Sequence, residues 1–202
     1  MRFLLSSLCL IFLTGCASYP TRQGFQLVEP STKVISNPYF SDPAKDYVYK
    51  AKIDVLNRSF GGIFIVKKLD VDHHRIVFTT ELGNTIFDFT FQDEDFIVNR
   101  VLKEMDKKIL INILKKDFKV LIEENLPVEK AFIHGDSQVL KADILSKNHY
   151  YFYPSGQLKK IFRTSNGKEK VRFQYSGIKG NIAEEIHIDH QNFRLHIVLK
   201  AI

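Results

Sequence analysis

Cys16 is the side chain of this sequence with the most clearly defined chemistry. It directly follows the segment Leu13–Gly15, which ends an almost wholly apolar run that begins at Phe3 after the positively charged Arg2. A positive residue, a short apolar run and small residues before a cysteine are typical of a leader that is cleaved while the cysteine thiol is acylated. We therefore predict that residues 1–15 are a signal peptide and that Cys16 carries lipid at the mature N-terminus.

This arrangement resembles the signal of a bacterial lipoprotein. The apolar run is shorter than the roughly 20 residues that span a bilayer, and the polar residues 20–23 follow soon after it. In the lipoproteins that it resembles, an aspartate after the cysteine would signal retention in the inner membrane, and Ala17 stands there instead. The resemblance implies a lipid-anchored envelope protein on the outer membrane, facing the periplasm. An ordinary secretory peptide with an incidental cysteine is the alternative.

Cysteine usage leaves the mature domain to be stabilised by its hydrophobic core. The only other cysteine, Cys9, would leave with the signal peptide. The mature domain would then have no disulfide and no cysteine metal site. Hydrophobic residues make up 45% of the chain, which has 17 Phe and 8 Tyr, so a large packed interior is expected.

Four residues near the C-terminus are the best candidates for a metal site: His187, Asp189, His190 and His196. His187 and Asp189 share one face of a predicted strand, and a neighbouring antiparallel strand could bring His196 beside them. His190 would point to the opposite face, and the pair His73-His74 falls in a predicted turn. We expect these side chains to form polar surface, with no metal and no cofactor.

Asp88 and Asp117 are the best candidates for a catalytic pair of carboxylates. Such a pair acts as acid and base only when a substrate cleft holds both groups. Asp88 lies on the strand face opposite Phe87, and Asp117 follows Lys115 and Lys116, whose charge it could balance. The sequence also lacks a nucleophile elbow, a phosphate loop, a paired-histidine zinc helix and a dinucleotide fingerprint. We expect structural roles for both aspartates and no enzymatic activity.

The segment before residue 46 is predicted to be a tether. Residues 16–45 carry four of the six prolines, together with Ser, Thr and Asn. Proline lacks a backbone donor and does not continue a helix, so this segment should be largely extended, ending with a short strand packed on the domain. Residues 46–202 are predicted to form the domain.

Within that domain, short stretches of alternating or continuous apolar residues predict an antiparallel meander. Turns are predicted at 70–74, 82–84, 154–156, 165–167 and 176–177. The predicted strands are 46–55, 63–66, 75–81, 85–91, 96–102, 131–134, 148–153, 158–163, 168–175, 182–190 and 193–199.

One segment has a helical period instead. Between residues 106 and 124 the apolar residues recur every three or four positions, which predicts an amphipathic helix with Asp106 as N-cap and Pro127 as a stop. Its apolar stripe must cover the sheet. The predicted fold class is α+β: a single curved antiparallel sheet, a half-barrel of about nine to eleven strands, covered by one long central helix.

This layout resembles the LolA/LolB-like superfamily of envelope lipoprotein carriers. Residues 75–118 are also locally similar to uncharacterised small lipoproteins of that type, at Glu81-Leu82-Gly83, at Phe87-Asp88-Phe89 and at the helical segment Leu114–Phe118. The resemblance implies a half-barrel whose apolar interior accepts acyl chains beneath a helical lid. It also implies that a receptor of this type engages the membrane by an exposed apolar loop tip.

The candidate residues for the apolar pocket are Ile76, Phe78, Phe87, Phe89, Phe91, Ile113, Leu114 and Phe118. If they line a cavity, the protein carries a lipid, an acyl chain or a lipid-modified protein. If they form a filled core, the alternative is an accessory lipoprotein that docks on an envelope protein complex. The expected partners are thus a membrane, through the lipid anchor, an acyl chain and an envelope complex.

The net charge of +6 does not point to nucleic acid, because basic and aromatic residues are not interleaved. The positive surplus indicates either a solvated surface or attraction to anionic lipid head groups.

Overall fold

The computed structural model describes residues 18–202. These residues contain two helices and fifteen strands. The predicted signal peptide and the predicted lipidation of Cys16 lie outside the described residues. The elements are α1 (Tyr19–Gln23), β1 (Gln26–Val28), β2 (Val34–Ser36), β3 (Asp46–Val55), β4 (Arg58–Asp70), β5 (His73–Thr79), β6 (Thr85–Gln92), β7 (Asp95–Val101), α2 (Lys108–Ile122), β8 (Asn125–Pro127), β9 (Lys130–His134), β10 (Ser137–Ile144), β11 (Lys147–Pro154), β12 (Lys160–Ser165), β13 (Lys168–Lys179), β14 (Ile182–His190) and β15 (Leu195–Ala201). None of these helices is long and apolar enough to cross a membrane.

Thirteen of the strands form one antiparallel sheet in the order β1-β9-β10-β11-β12-β13-β14-β15-β3-β4-β5-β6-β7, while β2 pairs only with β8. The sheet is not closed, since β1 and β7 are its two edges. The predicted α+β class, a curved antiparallel sheet with one long helix, is confirmed. The predicted half-barrel of nine to eleven strands is wrong in detail, because the open sheet is larger.

The strand count was too low because some strands have no clear signal in the sequence. The strands β1, β2 and β8 have only three residues each. Strand β10 lacks strict alternation. Its adjacent residues Val139 and Leu140 are both buried, one on each face of the sheet. The turn predicted at 176–177 is also wrong, because β13 continues past Gly177 and Ile178 still pairs with Ala183.

The described part of the predicted tether packs on the sheet. The Tyr19 ring lies 4.9 Å from that of Tyr150 on the outer face, and Tyr39 stacks on Tyr175 at 4.5 Å within the inner core. Residues 18–45 contribute one short helix, two short strands and buried aromatic rings to the folded structure. Aromatic side chains next to the prolines supply the apolar surface that holds this segment on the sheet.

Helix α2 covers the inner face of the sheet, as its apolar stripe predicts. Its start differs from the prediction: Lys107 occupies the N-cap position, without a side-chain cap. Asp106 instead belongs to the preceding turn, where its N–H donates to the Leu102 carbonyl at 3.0 Å. Pro127, the predicted stop, lies in β8.

Antiparallel pairing brings six connections of the large sheet to one end, which we call the groove end. Val55 pairs with both Arg58 and Leu195, so the β3–β4 turn lies beside the β14–β15 loop. The chain also reverses at this end between β5 and β6, between β10 and β11, between β12 and β13, and between β7 and α2.

Gly62 is required where β4 passes β5. A Cβ at Gly62 would lie 1.8 Å from the carbonyl oxygen of Thr79, whereas a Cβ at Gly61 would meet nothing within 4 Å. We expect Gly62→Ala to lower the free energy of unfolding by about 1–3 kcal/mol, the usual cost of overpacking. Gly61→Ala should leave it unchanged or slightly raised. Denaturant unfolding of both variants checks this, and equal midpoints would contradict the close approach.

Candidate functional site

Aromatic packing joins α2 to the inner face of the sheet. The ring centroid of Phe118 lies 5.3 Å from that of Phe64 and 5.6 Å from that of Phe87, and Phe87 stacks on Phe89 at 4.6 Å. All four rings are fully buried. The space beneath the middle of the helix is therefore filled by side chains.

The eight residues predicted to line an apolar pocket belong to this packed layer. Seven of them are buried, and Ile113 is partly buried against the same cluster. The structure thus brings the predicted set together, but as neighbours in a core. The predicted residues are Ile76, Phe78, Phe87, Phe89, Phe91, Ile113, Leu114 and Phe118.

An open groove of about 710 Å³ lies at the groove end, between the start of α2 and the β3–β4 turn. Leu110 and Val55 are buried beneath it, while Leu56 and Ile109 are 60% and 69% exposed at its sides. The lining residues are Val55, Leu56, Asn57, Arg58, Lys103, Glu104, Lys107, Ile109, Leu110 and Phe193. This groove is the candidate functional site.

The rim of the groove is mainly basic. Arg58, Lys103 and Lys107 lie around it together with a single acid, Glu104. All four are exposed, and none of them is in an ion pair within residues 18–202. An apolar floor beside unpaired cations suits an amphiphile with an anionic head group.

A buried polar cluster fastens α2 to the sheet. Asp117 on the helix is fully buried, and its Oδ1 accepts a hydrogen bond from Arg163 of β12 at 3.0 Å. Its Oδ2 lies 2.7 Å from Nε2 of His190, the last residue of β14. The expectation that Asp117 balances Lys115 and Lys116 is wrong, because the side chain points inward to these partners.

Sequence reasoning did not find the groove, because three distant segments build it. The β3–β4 turn, the start of α2 and the β14–β15 loop meet only through the order of the sheet. The available signal was the apolar residue Leu56 in a tight turn, where polar residues are usual.

Comparisons of sequence and structure differ in what they detect. No family model matches the sequence, and no curated protein matches it. The fold does match solved structures, among them the crystal structure of a LolA superfamily protein from Nitrosomonas europaea. The TM-score is 0.54 at 10% identity, over 82% of this chain and 88% of that chain. This chain has a LolA/LolB-like fold.

A second match is the crystal structure of a putative outer membrane lipoprotein-sorting protein domain from Vibrio parahaemolyticus. It has 5% identity and a TM-score of 0.41, over 77% of this chain and 83% of that chain.

The β5–β6 turn carries the most exposed large hydrophobic side chain of residues 18–202. Leu82 is 91% exposed there, between Glu81 and Gly83. The turn folds over the outer face, where Glu81 forms an ion pair with Lys50 at 3.1 Å. The motif Glu81-Leu82-Gly83 therefore carries an exposed aliphatic side chain outside the core.

Asp88 lies away from the groove, in a cluster of its own. Arg75 donates to both carboxylate oxygens, at 3.0 and 2.6 Å, and Asn99 donates at 3.1 Å. The hydrogen bonds from Arg75 lower the pKa of Asp88. Asp88 is buried by these partners rather than solvated. It shares none of the hydrogen-bond partners of Asp117, so the two carboxylates do not form a pair.

The histidines are divided between the two faces. His196 hydrogen-bonds to Asp189 on the outer face, with its ring 5.8 Å from that of His187, whereas His190 points inward to Asp117. No three His, Cys, Asp or Glu side chains of residues 18–202 are arranged to hold a metal ion.

His74 was expected in a turn, but it lies in β5 and is buried. Its Nε2 is 3.2 Å from the carbonyl oxygen of Phe40. Burial lowers the pKa of His74 to about 4.

Proposed function

We propose that the protein binds the acyl chain of a lipid or of a lipid-modified protein in the groove at the groove end, in lipid or lipoprotein trafficking. The observation that carries the proposal is one groove with both an apolar floor and an unpaired basic rim. Its volume of about 710 Å³ falls within the range of roughly 300–1,000 Å³ usual for small-molecule sites. The chain would lie on Val55, Ile109 and Leu110, with an anionic head group near Lys103 and Lys107.

The packed layer determines how deep such a chain can reach while α2 stays in place. Leu110 closes the inner side of the groove, and the rings of Phe87 and Phe118 already touch behind it. Ile113, partly buried, is the next position along the helix toward that layer. The predicted pocket residues would contact an acyl chain only if α2 moved away from the sheet.

The proposal includes a place in the cell. We infer that Cys16 is acylated and that the protein is anchored in the bacterial envelope, on the outer membrane facing the periplasm. The support is the lipoprotein-type signal that ends at Cys16, together with Ala17 after it. Buried acyl chains contribute about 0.8 kcal/mol per methylene, so two or more chains hold a domain stably at a membrane. Leu82 is one exposed apolar side chain through which such a protein would touch a bilayer.

Replacing Cys16 tests the anchor. We expect Cys16→Ser to prevent acylation and to remove the protein from the membrane fraction, because the thiol is the attachment point. Cys9→Ser, inside the apolar run, is the matched control and should leave processing unchanged. Membrane fractionation and mass spectrometry of the mature N-terminus give the answer. Unchanged fractionation of Cys16→Ser would mean that Cys16 is incidental.

The packed layer also favours the second candidate function, an accessory lipoprotein that docks on an envelope protein complex. In that case the groove and Leu82 would contact protein, and no acyl chain would be bound. Binding of an acyl probe by the purified protein distinguishes the two functions.

Ile109→Glu is the variant that tests the groove. The side chain is 69% exposed, so folding should change by no more than about 0.5 kcal/mol. A carboxylate on the apolar side wall of the groove should weaken binding of a fluorescent fatty acid by about tenfold, equal to about 1.4 kcal/mol. The control is Val71→Glu, which is 76% exposed in the β4–β5 turn at the opposite end. Equal affinities of the two variants would contradict the groove as the binding site.

A further inference from the structure

The two ends of the sheet differ in charge. At the groove end, the six connections and the residues that flank them carry seven exposed basic side chains and three exposed acidic ones. The basic residues are Arg58, Lys103, Lys107, Lys108, Lys147, Lys168 and Arg194, and the acidic ones are Glu81, Glu104 and Asp106, of which Glu81 is already paired with Lys50. The hairpin turns at the opposite end carry six acids and three lysines, namely Asp70, Asp72, Asp93, Glu94, Asp95, Asp136, Lys159, Lys160 and Lys179.

The basic side chains of the groove end have no acidic partner, and among the seven only Arg194 donates a side-chain hydrogen bond within residues 18–202, to Asn57 at 3.4 Å. Within residues 18–202, none of the seven forms an ion pair. Lysines on the outer face differ, since Lys50, Lys52 and Lys67 each have an acidic partner. The positive charges of the groove end are therefore not neutralised by neighbouring acids, and their electrostatic field extends into the solvent.

Aliphatic side chains stand among these charges. Leu56, Leu102, Ile109 and Leu145 are all exposed, and each belongs to a different turn or to the first turn of α2. This surface combines exposed aliphatic side chains with unpaired lysines and arginines. Such a combination is typical of a surface that enters the head-group layer of a membrane.

The position of α1 agrees with this orientation. Arg22 donates to the carbonyl of Gly167 at 3.3 Å, so α1 lies beside the β12–β13 turn of the groove end. Cys16, the predicted site of the lipid, precedes Tyr19 of α1 by three residues. A lipid anchor that enters from this side would bring the groove end toward the bilayer, and would leave the opposite end with its acidic turns away from it.

We propose that the groove end docks on a phospholipid bilayer that contains anionic lipid. The unpaired lysine and arginine side chains contact lipid phosphates, and the four aliphatic side chains enter the head-group layer. Basic residues near an anionic surface are attracted to it, and salt weakens this attraction. The orientation holds whether or not the groove binds an acyl chain, so the two proposals fail separately.

The test uses the full-length lipidated protein in vesicles with an environment-sensitive fluorophore at one position. Leu56→Cys places the fluorophore at the groove end, and Val71→Cys places the control at the opposite end. Both can be labelled selectively, because the acylated Cys16 is the only other cysteine expected after cleavage. Vesicles of phosphatidylcholine are compared with vesicles in which one third of the lipid is phosphatidylglycerol.

We expect emission from position 56 to shift to the blue and to be quenched by spin-labelled lipid only with phosphatidylglycerol, and high salt to reverse both effects. Position 71 should report water throughout. Lys147→Glu with Lys168→Glu, neither of which lines the groove, should abolish the quenching at position 56, whereas Lys159→Glu with Lys160→Glu should not.

Two results would overturn the proposal. Equal quenching at positions 56 and 71 would mean that the anchor alone brings the protein to the surface. No quenching at position 56 would mean that the partner of the groove end is an acidic protein and not a bilayer. Loss of fatty-acid binding with retained quenching would contradict only the proposed function of the groove.

Discussion

Asp117→Ala is expected to lower the free energy of unfolding by about 3–5 kcal/mol. Asp117 is fully buried and is the shared acceptor for Arg163 and His190. Removing the carboxylate leaves the Arg163 cation almost buried without its partner, which is the costly way to break a buried ion pair. The loss should appear in chemical unfolding and as weaker hydrogen-exchange protection of α2.

Asp88→Ala is the matched control for this variant. It also removes an arginine–carboxylate pair, but half of the Arg75 side chain is in solvent. Partly exposed pairs contribute about 1 kcal/mol or less. Similar losses in the two variants would contradict the view that the Asp117 cluster fastens the helix to the sheet.

Leu114→Asp should have an effect of comparable size. Leu114 is 1% exposed on the inner side of α2, so the new carboxylate would be buried without a partner. Such a change costs several kcal/mol. Asn112→Asp, on the exposed side of the same helix, adds the same charge and should leave the melting temperature nearly unchanged. If Leu114→Asp melted like wild type, α2 would not be packed on the sheet in solution.

The helix and most long strands could be predicted because each has its own hydrophobic period. The spacing of Leu110, Leu114 and Phe118 predicts one buried stripe without any knowledge of the sheet. The N-cap was wrong, because cap geometry depends on the turn that precedes it, and here Asp106 is used inside that turn. The strand β10 was missed, because two adjacent buried residues interrupt its alternation.

The candidate site could not be predicted in the same way, because its parts are local in space and distant along the chain. Leu56, Ile109 and Phe193 come from three connections, which only the strand order brings together. The same reason hides the partners of Asp117, since Arg163 and His190 lie far along the sequence. The predicted pocket residues lie in one cluster on facing elements, but periodicity does not distinguish a filled layer from a lined cavity.

Photo-crosslinking with a diazirine-bearing long-chain fatty acid tests most directly whether the groove binds an acyl chain. The full-length protein is irradiated with the probe, digested and mapped by mass spectrometry, with an unlabelled fatty acid as competitor. We predict competed adducts on the peptides that carry Leu56 and Ile109, and their loss in Ile109→Glu but not in Val71→Glu. Adducts spread evenly over the surface, or adducts that the unlabelled fatty acid does not displace, would contradict the proposed groove site.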